Sequence, residues 1–283
     1  MAGIDLHTHS RFSDGTLSPT ELFDLGRERG LEAMALTDHD TISGIAEARA
    51  AAALSGLELV PGVEFSAEHD GVSLHILAYW PDEEDLEFQA ELLRLQESRL
   101  RRGERMVEKL QELGYPVSFE RVREIAAGKN IVRPHIAQAL VEAGVIAVEN
   151  DAYTDAFIGD GGRAYVEKHA LAPVDALAVI HKAGGVCVIA HPGMWRGNDP
   201  VPDELIEKMA TGGMDGIEVD HPDHTVEQRA HYRELARRMN LVPTGSTDYH
   251  GERSPGVWPG QETTRREAFE ELRSRAARRK VRS

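Results

Sequence analysis

From Ile4 onward the chain alternates short apolar runs with helix-like stretches, and this alternation limits its fold more than any other feature. Ile4 to His9 reads as a buried strand. Ser18-Pro19-Thr20-Glu21 then reads as a helix start, with Ser18 as the cap, Pro19 in the first turn and Glu21 completing a capping box. That helix should end near Gly30. Ala33 to Leu36 makes a second strand, Asp40 is expected to cap a helix running to about Ser55, and Leu57 to Phe65 makes a third strand. Asp70-Gly71 is a tight-turn signal, which predicts a hairpin into a fourth strand, Val72 to Tyr79.

After Trp80-Pro81 the period changes. About eighty residues show helical spacing without a convincing strand, too long a stretch for an ordinary barrel connection. One long helix should run from about Asp82 to Leu113 and stop at Gly114-Tyr115-Pro116, with shorter helices beginning near Ser118 and Pro134. Alternation then resumes: a helix from Pro173 to Ala183, a strand to Ala190, a strand from Gly216 to Val219, a helix from Val226 to Asn240 and a strand ending near Ser246. The expected organisation is an α/β barrel formed by residues 1–80 and 166–283, with residues 81–165 inserted as a helical lobe. The basic segment from Arg265 to Arg282 is expected to be a terminal helix packed on the outside or a partly frayed tail, with no chemical role.

A chain of 283 residues can bury a large core, and 41% hydrophobic with 28% charged residues is ordinary for a folded, water-soluble protein. The only cysteine, Cys187, sits in the apolar run Val186 to Ala190 and reads as a small buried hydrophobe. Neither a signal peptide nor a membrane span is visible, so the cytoplasm is the expected address and no membrane partner is expected. A net charge of −16 argues against broad binding to long nucleic acid but leaves small anionic substrates open, because bound cations would reverse the potential locally.

The chemistry lies at the strand ends. His7 and His9 alternate along one strand, so both imidazoles point to the same side and can grip one ion, with Asp14 in the next loop. His39, Glu64, His75, His191, Asp248 and His250 each fall at the carboxyl end of a predicted strand or in the loop just after it. In α/β barrels that rim is where active sites are built. An ion takes about four to six ligands, so nine side chains imply two or three divalent ions, some sharing a carboxylate such as Glu64 or Asp248. Ions roughly 3.5–4 Å apart can clamp a phosphate and activate a shared water, which is a hydrolase design. Asp38 reads as an outer partner of a ligand. His221 and His224, just after Glu218 at another strand end, face the predicted site as candidates for substrate contact or proton transfer.

In this order these residues resemble the polymerase and histidinol phosphatase family. Its four motifs appear as Asp5-Leu6-His7-Thr8-His9-Ser10, Thr37-Asp38-His39-Asp40, Ala190-His191-Pro192 and Thr247-Asp248-Tyr249-His250, with Glu64 and His75 between them. The resemblance spans nearly the whole chain and implies a distorted seven-stranded (β/α)7 TIM-like barrel with a trinuclear metal centre. Carried over by position, it implies one ion on His7, His9, Glu64 and Asp248, a second on Glu64, His75 and His191, and a third on Asp14, His39 and His250. Manganese comes first, and iron or zinc would also suit these ligands.

Within the family, the helical insertion and the run Ile131-Val132-Arg133-Pro134-His135 look most like the stand-alone branch. That branch removes phosphate from nucleoside 3′,5′-bisphosphates, for example adenosine 3′,5′-bisphosphate to AMP, or degrades short 5′-phosphorylated RNA. It often has Arg-Thr-His where this chain has Arg133-Pro134-His135, so one hydroxyl is absent here. The implied reaction is attack on phosphorus by a metal-bound hydroxide, with Asp248, His191 and Glu64 as the catalytic set. Arg99, Arg102, Arg133, His135 and His224 are the expected substrate-binding residues, with Arg163, Lys168 and Arg196 as weaker candidates. A small-metabolite phosphatase such as histidinol phosphatase, and a module that kept the fold without activity, are the two alternatives. The oligomeric state is not legible.

Overall fold

The computed structural model describes residues 3–127, 131–159, 161–167, 170–194 and 199–281. Lys168, His169 and Arg196 lie outside the described residues. The chain divides into two compact units, Met1–Leu92 with Leu171–Ser283, and Leu93–Ala170. The boundary therefore falls inside a long helix rather than at residue 80.

In the first unit seven strands form one sheet in sequential order: β1 (Gly3–Asp5), β2 (Leu31–Leu36), β3 (Glu58–His69), β4 (Val72–Tyr79), β5 (Val186–Ile189), β6 (Gly216–Asp220) and β7 (Val242–Gly245). All neighbouring pairs are parallel except those made by β4, which runs antiparallel to both β3 and β5. A single bridge, Thr8 to Tyr249, links the chain just beyond β1 to the chain beyond β7.

The β3–β4 hairpin turns on Asp70 and Gly71, both with positive φ (50° and 74°), a conformation that matches the right-handed twist of the strands. The strand β4 has the span expected from its sequence. By contrast, β3 continues past Phe65 to His69, because the hairpin keeps pairing it with β4. The first strand is shorter than expected: His7 and His9 follow β1 instead of ending it.

Helix α1 (Pro19–Glu28) starts as its sequence demands, with Ser18 accepting the Glu21 amide and Glu21 reaching back to the Ser18 amide. Helix α2 (Ile45–Ser55) is capped at Gly44 and not at Asp40. Asp40 lies four residues too early and uses its carboxylate elsewhere, accepting the Ser66 amide (2.7 Å) and hydroxyl (2.8 Å). The remaining helices are α3 (Leu86–Glu112), α4 (Phe119–Ile125), α5 (Arg133–Glu142), α6 (Pro173–Lys182), α7 (Asp203–Thr211), α8 (Val226–Met239) and α9 (Arg266–Lys280). Helix α7, between β5 and β6, was not foreseen.

Both faces of the parallel strands are covered. Along β2, Ala33 and Ala35 enter a cluster with Leu6, Leu77, Tyr79 and Val188, while Met34 and Leu36 pack with Leu22, Phe23, Ile45 and Ala48 of the flanking helices. Helix α9 is more than an outer helix, since Phe269, Leu272 and Ala276 are buried in the first of these clusters. The second unit has a core of its own, built on Met106, Val107, Leu110, Val122, Ile136 and Leu140. Among the described residues no helix is long and apolar enough to cross a membrane.

Candidate metal centre

The nine predicted ligands all lie in the first unit and converge around Glu64, which is 1% exposed. Glu64 Oε2 lies 2.8 Å from His39 Nδ1, 3.2 Å from His9 Nε2 and 3.5 Å from His7 Nε2. Its other oxygen, Oε1, lies 2.8 Å from His75 Nδ1 and 3.1 Å from His191 Nε2. Asp248 Oδ1 faces the same two imidazoles from the opposite side, 3.1 Å from His7 Nε2 and 3.2 Å from His9 Nε2. Asp14 draws in His250 Nε2 at 3.2 Å and His39 Nε2 at 3.6 Å.

The fold reaches this arrangement from six strands. His7 and His9 follow β1, His39 follows β2 and is bridged to Glu64 of β3, His191 follows β5, and Asp248 and His250 follow β7. His75 corrects the expectation that every ligand ends a strand. It is the fourth residue of β4, and because β4 runs antiparallel, the shared rim meets its beginning.

The loop carrying Asp14 closes directly on the His9 backbone. A side chain at Gly15 would put its first carbon 2.3 Å from the His9 carbonyl oxygen, so only glycine fits there. Two ligands also hold uncommon backbone conformations, His191 with φ 27° and Asp248 with φ 50°. Such strain, about 1–3 kcal/mol per residue, collects at functional sites where the surroundings impose it.

Hydrogen bonds behind the site fix which imidazole nitrogen points inward. His7 Nδ1 meets Glu218 Oε1 at 3.2 Å, His9 Nδ1 meets the Ser13 hydroxyl at 3.2 Å, and His250 Nδ1 donates to the Asp248 carbonyl at 2.7 Å. Each leaves Nε2 free to bind a metal. Asp38 acts one step further out, accepting the Ser10 amide and hydroxyl and the Ser13 hydroxyl that contacts His9. Asp5 accepts the amides of Thr247, Gly260 and His7 and the Thr247 hydroxyl, tying the first strand to the last, and burial pushes its carboxyl up to about 6.

The donor set fits divalent cations. The Nε2 atoms of His7 and His9 face each other at 3.1 Å between two carboxylates, and the buried oxygens Asp14 Oδ1, Glu64 Oε2 and Asp248 Oδ1 make no hydrogen bond. Buried polar atoms left this way are costly unless a cation takes them up. Burial alone would raise the carboxyls of Glu64, Asp14 and Asp248, but the surrounding imidazoles hold all three well below the usual range. Conversely, burial would lower His9, yet Asp248 and Glu64 push it up to about 10.

Three groups of ligand atoms lie close enough to share an ion: His7, His9, Glu64 and Asp248; His9, Asp14, His39 and His250; and His39, Glu64 and His75. The first is the expected set. The second adds His9 to the expected one, and the third takes His39 in place of His191, whose Nε2 meets the same Glu64 oxygen as His75. His181, Cys187 and Asp215 also cluster, but Arg279 Nη2 stands 2.9 Å from Asp215 and supplies the positive charge an ion would bring.

Sequence reasoning passed over Glu218, which is 0% exposed and has its carboxyl lowered to about 2: burial would raise it, and His7 more than offsets this. The available signal was an acid between the apolar residues Ile217 and Val219 of a strand. His224, expected to touch substrate, has both ring nitrogens engaged, with Nδ1 donating to the Val219 carbonyl at 2.9 Å and Nε2 accepting the Gly193 amide at 3.1 Å. It braces the loop after β5.

In the second unit Arg99, Arg102 and Arg133 line one small pocket with Gly103, Met106 and Ile136. Its free space is only about 10 Å³, room for a single water, so an anion enters only if side chains move apart. Arg102 Nε donates to the Val166 carbonyl at 2.6 Å, Arg133 stacks over Tyr153, and His135 Nδ1 accepts the Val132 amide.

Comparison with known proteins agrees with this geometry. The PHP domain model matches residues 5–156. A 5′-3′ exoribonuclease of Haemophilus influenzae is 34% identical, over 87% of this chain and 89% of its own length. A 3′,5′-nucleoside bisphosphate phosphatase of Chromobacterium violaceum is 34% identical, over 88% of each. A phosphoribosyl 1,2-cyclic phosphate 1,2-diphosphodiesterase of Eggerthella lenta is also 34% identical, over 87% of this chain and 94% of its own length. The crystal structure of a proposed metal-dependent phosphoesterase from Bifidobacterium adolescentis superposes with a TM-score of 0.90 at 35% identity, covering 97% of this chain and 96% of that one. With this likeness extending over nearly the whole chain, and with residues that could hold metal brought together, the chain belongs to the PHP domain family of metal-dependent phosphoesterases.

Proposed function

We propose that this enzyme removes phosphate from nucleoside 3′,5′-bisphosphates and also acts on short 5′-phosphorylated RNA. The observation that carries the reading is the complete set of nine ligand side chains converging around Glu64. The choice of nucleotides is supported by two of the relatives, one named for bisphosphates and one for RNA. Once their side chains move apart, the three guanidinium groups at one pocket of the second unit have the chemistry to hold a phosphate, since such groups bind phosphate oxygens in pairs.

We assign three divalent ions to the site, manganese first, and place the protein in the cytoplasm. The Thr8–Tyr249 bridge supports reading the seven strands as a barrel. When bound, the ions supply Lewis acidity toward a phosphoryl oxygen and lower the pKa of a water toward neutrality. Glu64 spreads its two oxygens over five imidazoles, so one ionised carboxylate draws together His7, His9, His39, His75 and His191. Asp248 and His191 keep about a quarter and a fifth of their side chains exposed, which supports assigning them to the side that meets a phosphate ester. They are the groups placed to hold or pass on a proton there.

An equally similar relative named for a 1,2-cyclic phosphate supports a second reading, opening of a cyclic phosphodiester. The test is product release by manganese-loaded protein from adenosine 3′,5′-bisphosphate, AMP, histidinol phosphate, a short 5′-phosphorylated RNA and a phosphoribosyl 1,2-cyclic phosphate, beside a His191→Ala control. Preference for the bisphosphate or the RNA, lost in the control, is expected. Preference for the cyclic ester or histidinol phosphate would replace the proposal. Arg133→Ala should cost about 10- to 100-fold on the bisphosphate while sparing a generic phosphate ester; equal loss on both would remove these arginines from the proposal.

A further inference from the structure

Six of the seven strands, with their loops, deliver the nine ligands, and β6 delivers none. Yet β6 and the turn after it bring two buried side chains, Glu218 (0% exposed) and His221 (2% exposed), against the ligands from behind. Glu218 Oε1 meets His7 Nδ1 at 3.2 Å and accepts the Ser246 hydroxyl, while Oε2 accepts the His191 amide at 2.6 Å. This one carboxylate therefore holds a side chain beyond β1, a main-chain amide beyond β5 and a hydroxyl beyond β7.

His221 Nδ1 accepts the Asp223 amide at 3.2 Å, which leaves the ring proton on Nε2. That nitrogen is buried with no hydrogen-bond partner and stands 3.9 Å from Asp248 Oδ2, while Asp248 Oδ1 faces His7 and His9. A movement of about an ångström brings Nε2–H into hydrogen-bond range.

We infer that β6 is the orienting strand of the metal centre, with Glu218 and His221 as positioning residues that aim His7 and Asp248 at a single ion. The inference rests on the metal-centre reading and adds selectivity to it. Glu218 reaches His7 and also the His191 amide, and His221 faces Asp248, so the group formed by His7, His9, Glu64 and Asp248 is the one on which both residues act. Outer partners of this kind typically govern metal affinity by about 10- to 100-fold.

The experiment is a titration of the full chain with Mn2+, following the free ion by its electron paramagnetic resonance signal, together with thermal unfolding in chelator. Glu218→Ala and His221→Leu should each weaken one manganese by about 10- to 100-fold; His221→Leu should leave the others at wild-type affinity, while Glu218→Ala, which also releases the His191 amide, should in addition weaken the ion that His191 shares. In His221→Gln the side-chain amide can still donate to Asp248, so that variant should recover most of the lost affinity. Wild-type affinity at every site in the first two variants would overturn the inference. So would equal weakening of all sites with a lowered unfolding temperature in chelator, the sign of a role in folding alone. A wild-type protein that binds no manganese would instead bring down the metal-centre reading itself.

Discussion

Glu64 shows at the scale of one residue how the site works. It is buried, surrounded by imidazoles, and held ionised against its burial by His39, His75 and His7. Because it belongs to two of the ligand groups, its loss is not confined to one ion. Glu64→Gln keeps the shape and removes the charge. The expected outcome is a fall in bound manganese together with a drop of roughly 100-fold or more in phosphate release. Metal analysis after gel filtration and a phosphate assay check the two halves separately, and a fully loaded, inactive variant would assign Glu64 to the chemistry rather than to holding metal. The same scale shows why His224 lies apart from the working histidines: a ring with both nitrogens committed to backbone groups has none left for a phosphate.

Elements are fastened to one another by a second buried carboxylate, well away from the ligands in sequence. Asp215, just before β6, accepts the Cys187 amide of β5 at 2.9 Å, meets His181 of α6 at 3.2 Å and accepts Arg279 of α9 at 2.9 Å. Burial would raise its carboxyl, but His181, Arg279 and the Cys187 amide hold it below the usual value. Asp215→Ala should lower stability by about 3 kcal/mol, because it strands the buried amide and the arginine. The sign with pH follows from the depressed pKa. The contribution is complete above the unfolded value of 3.8 and disappears as pH falls through the lower folded value. Urea unfolding should therefore show a gap between wild type and Asp215→Asn that is full at pH 7 and narrows below pH 4; a gap that stays constant across this range would contradict the assignment.

The whole molecule carries a net charge of −16 and draws several acids and imidazoles into one buried cluster, so the metal-free state stores electrostatic cost. Anything that binds this cluster only when the chain is folded stabilises the fold. Free manganese at about a hundred times its dissociation constant should add about 2.7 kcal/mol per site, and chelator should lower the unfolding temperature correspondingly. Calorimetry with and without chelator checks this, and an unchanged midpoint would mean that the cluster holds no ion in the folded protein.

Much of this organisation is legible in the residues themselves, for reasons of short range. The capping box at Ser18 and Glu21 and the turn at Asp70-Gly71 are local chemistry, set by neighbours within a few positions. The nine ligands stand out because imidazoles and carboxylates recur where strands end, and strand ends follow from hydrophobic period. What sequence left undetermined is long range. The Asp40 carboxylate binds Ser66, 26 positions away, instead of capping the next helix, because folding brings β3 beside it. His75 opens toward the rim rather than ending it, because β4 runs backward in the sheet. His7 owes its inward-facing nitrogen to Glu218, 211 positions along the chain. The sequence by itself determined which side chains are able to bind metal and near which ends of the strands they fall, since that depends on residue type and local period. Tertiary structure alone decided that the His7 ring is turned by Glu218 and which carboxylate is shared, since those choices are made by partners that meet only when the sheet has formed, whereas His9 and His250 are turned by Ser13 and the Asp248 carbonyl close by in the chain.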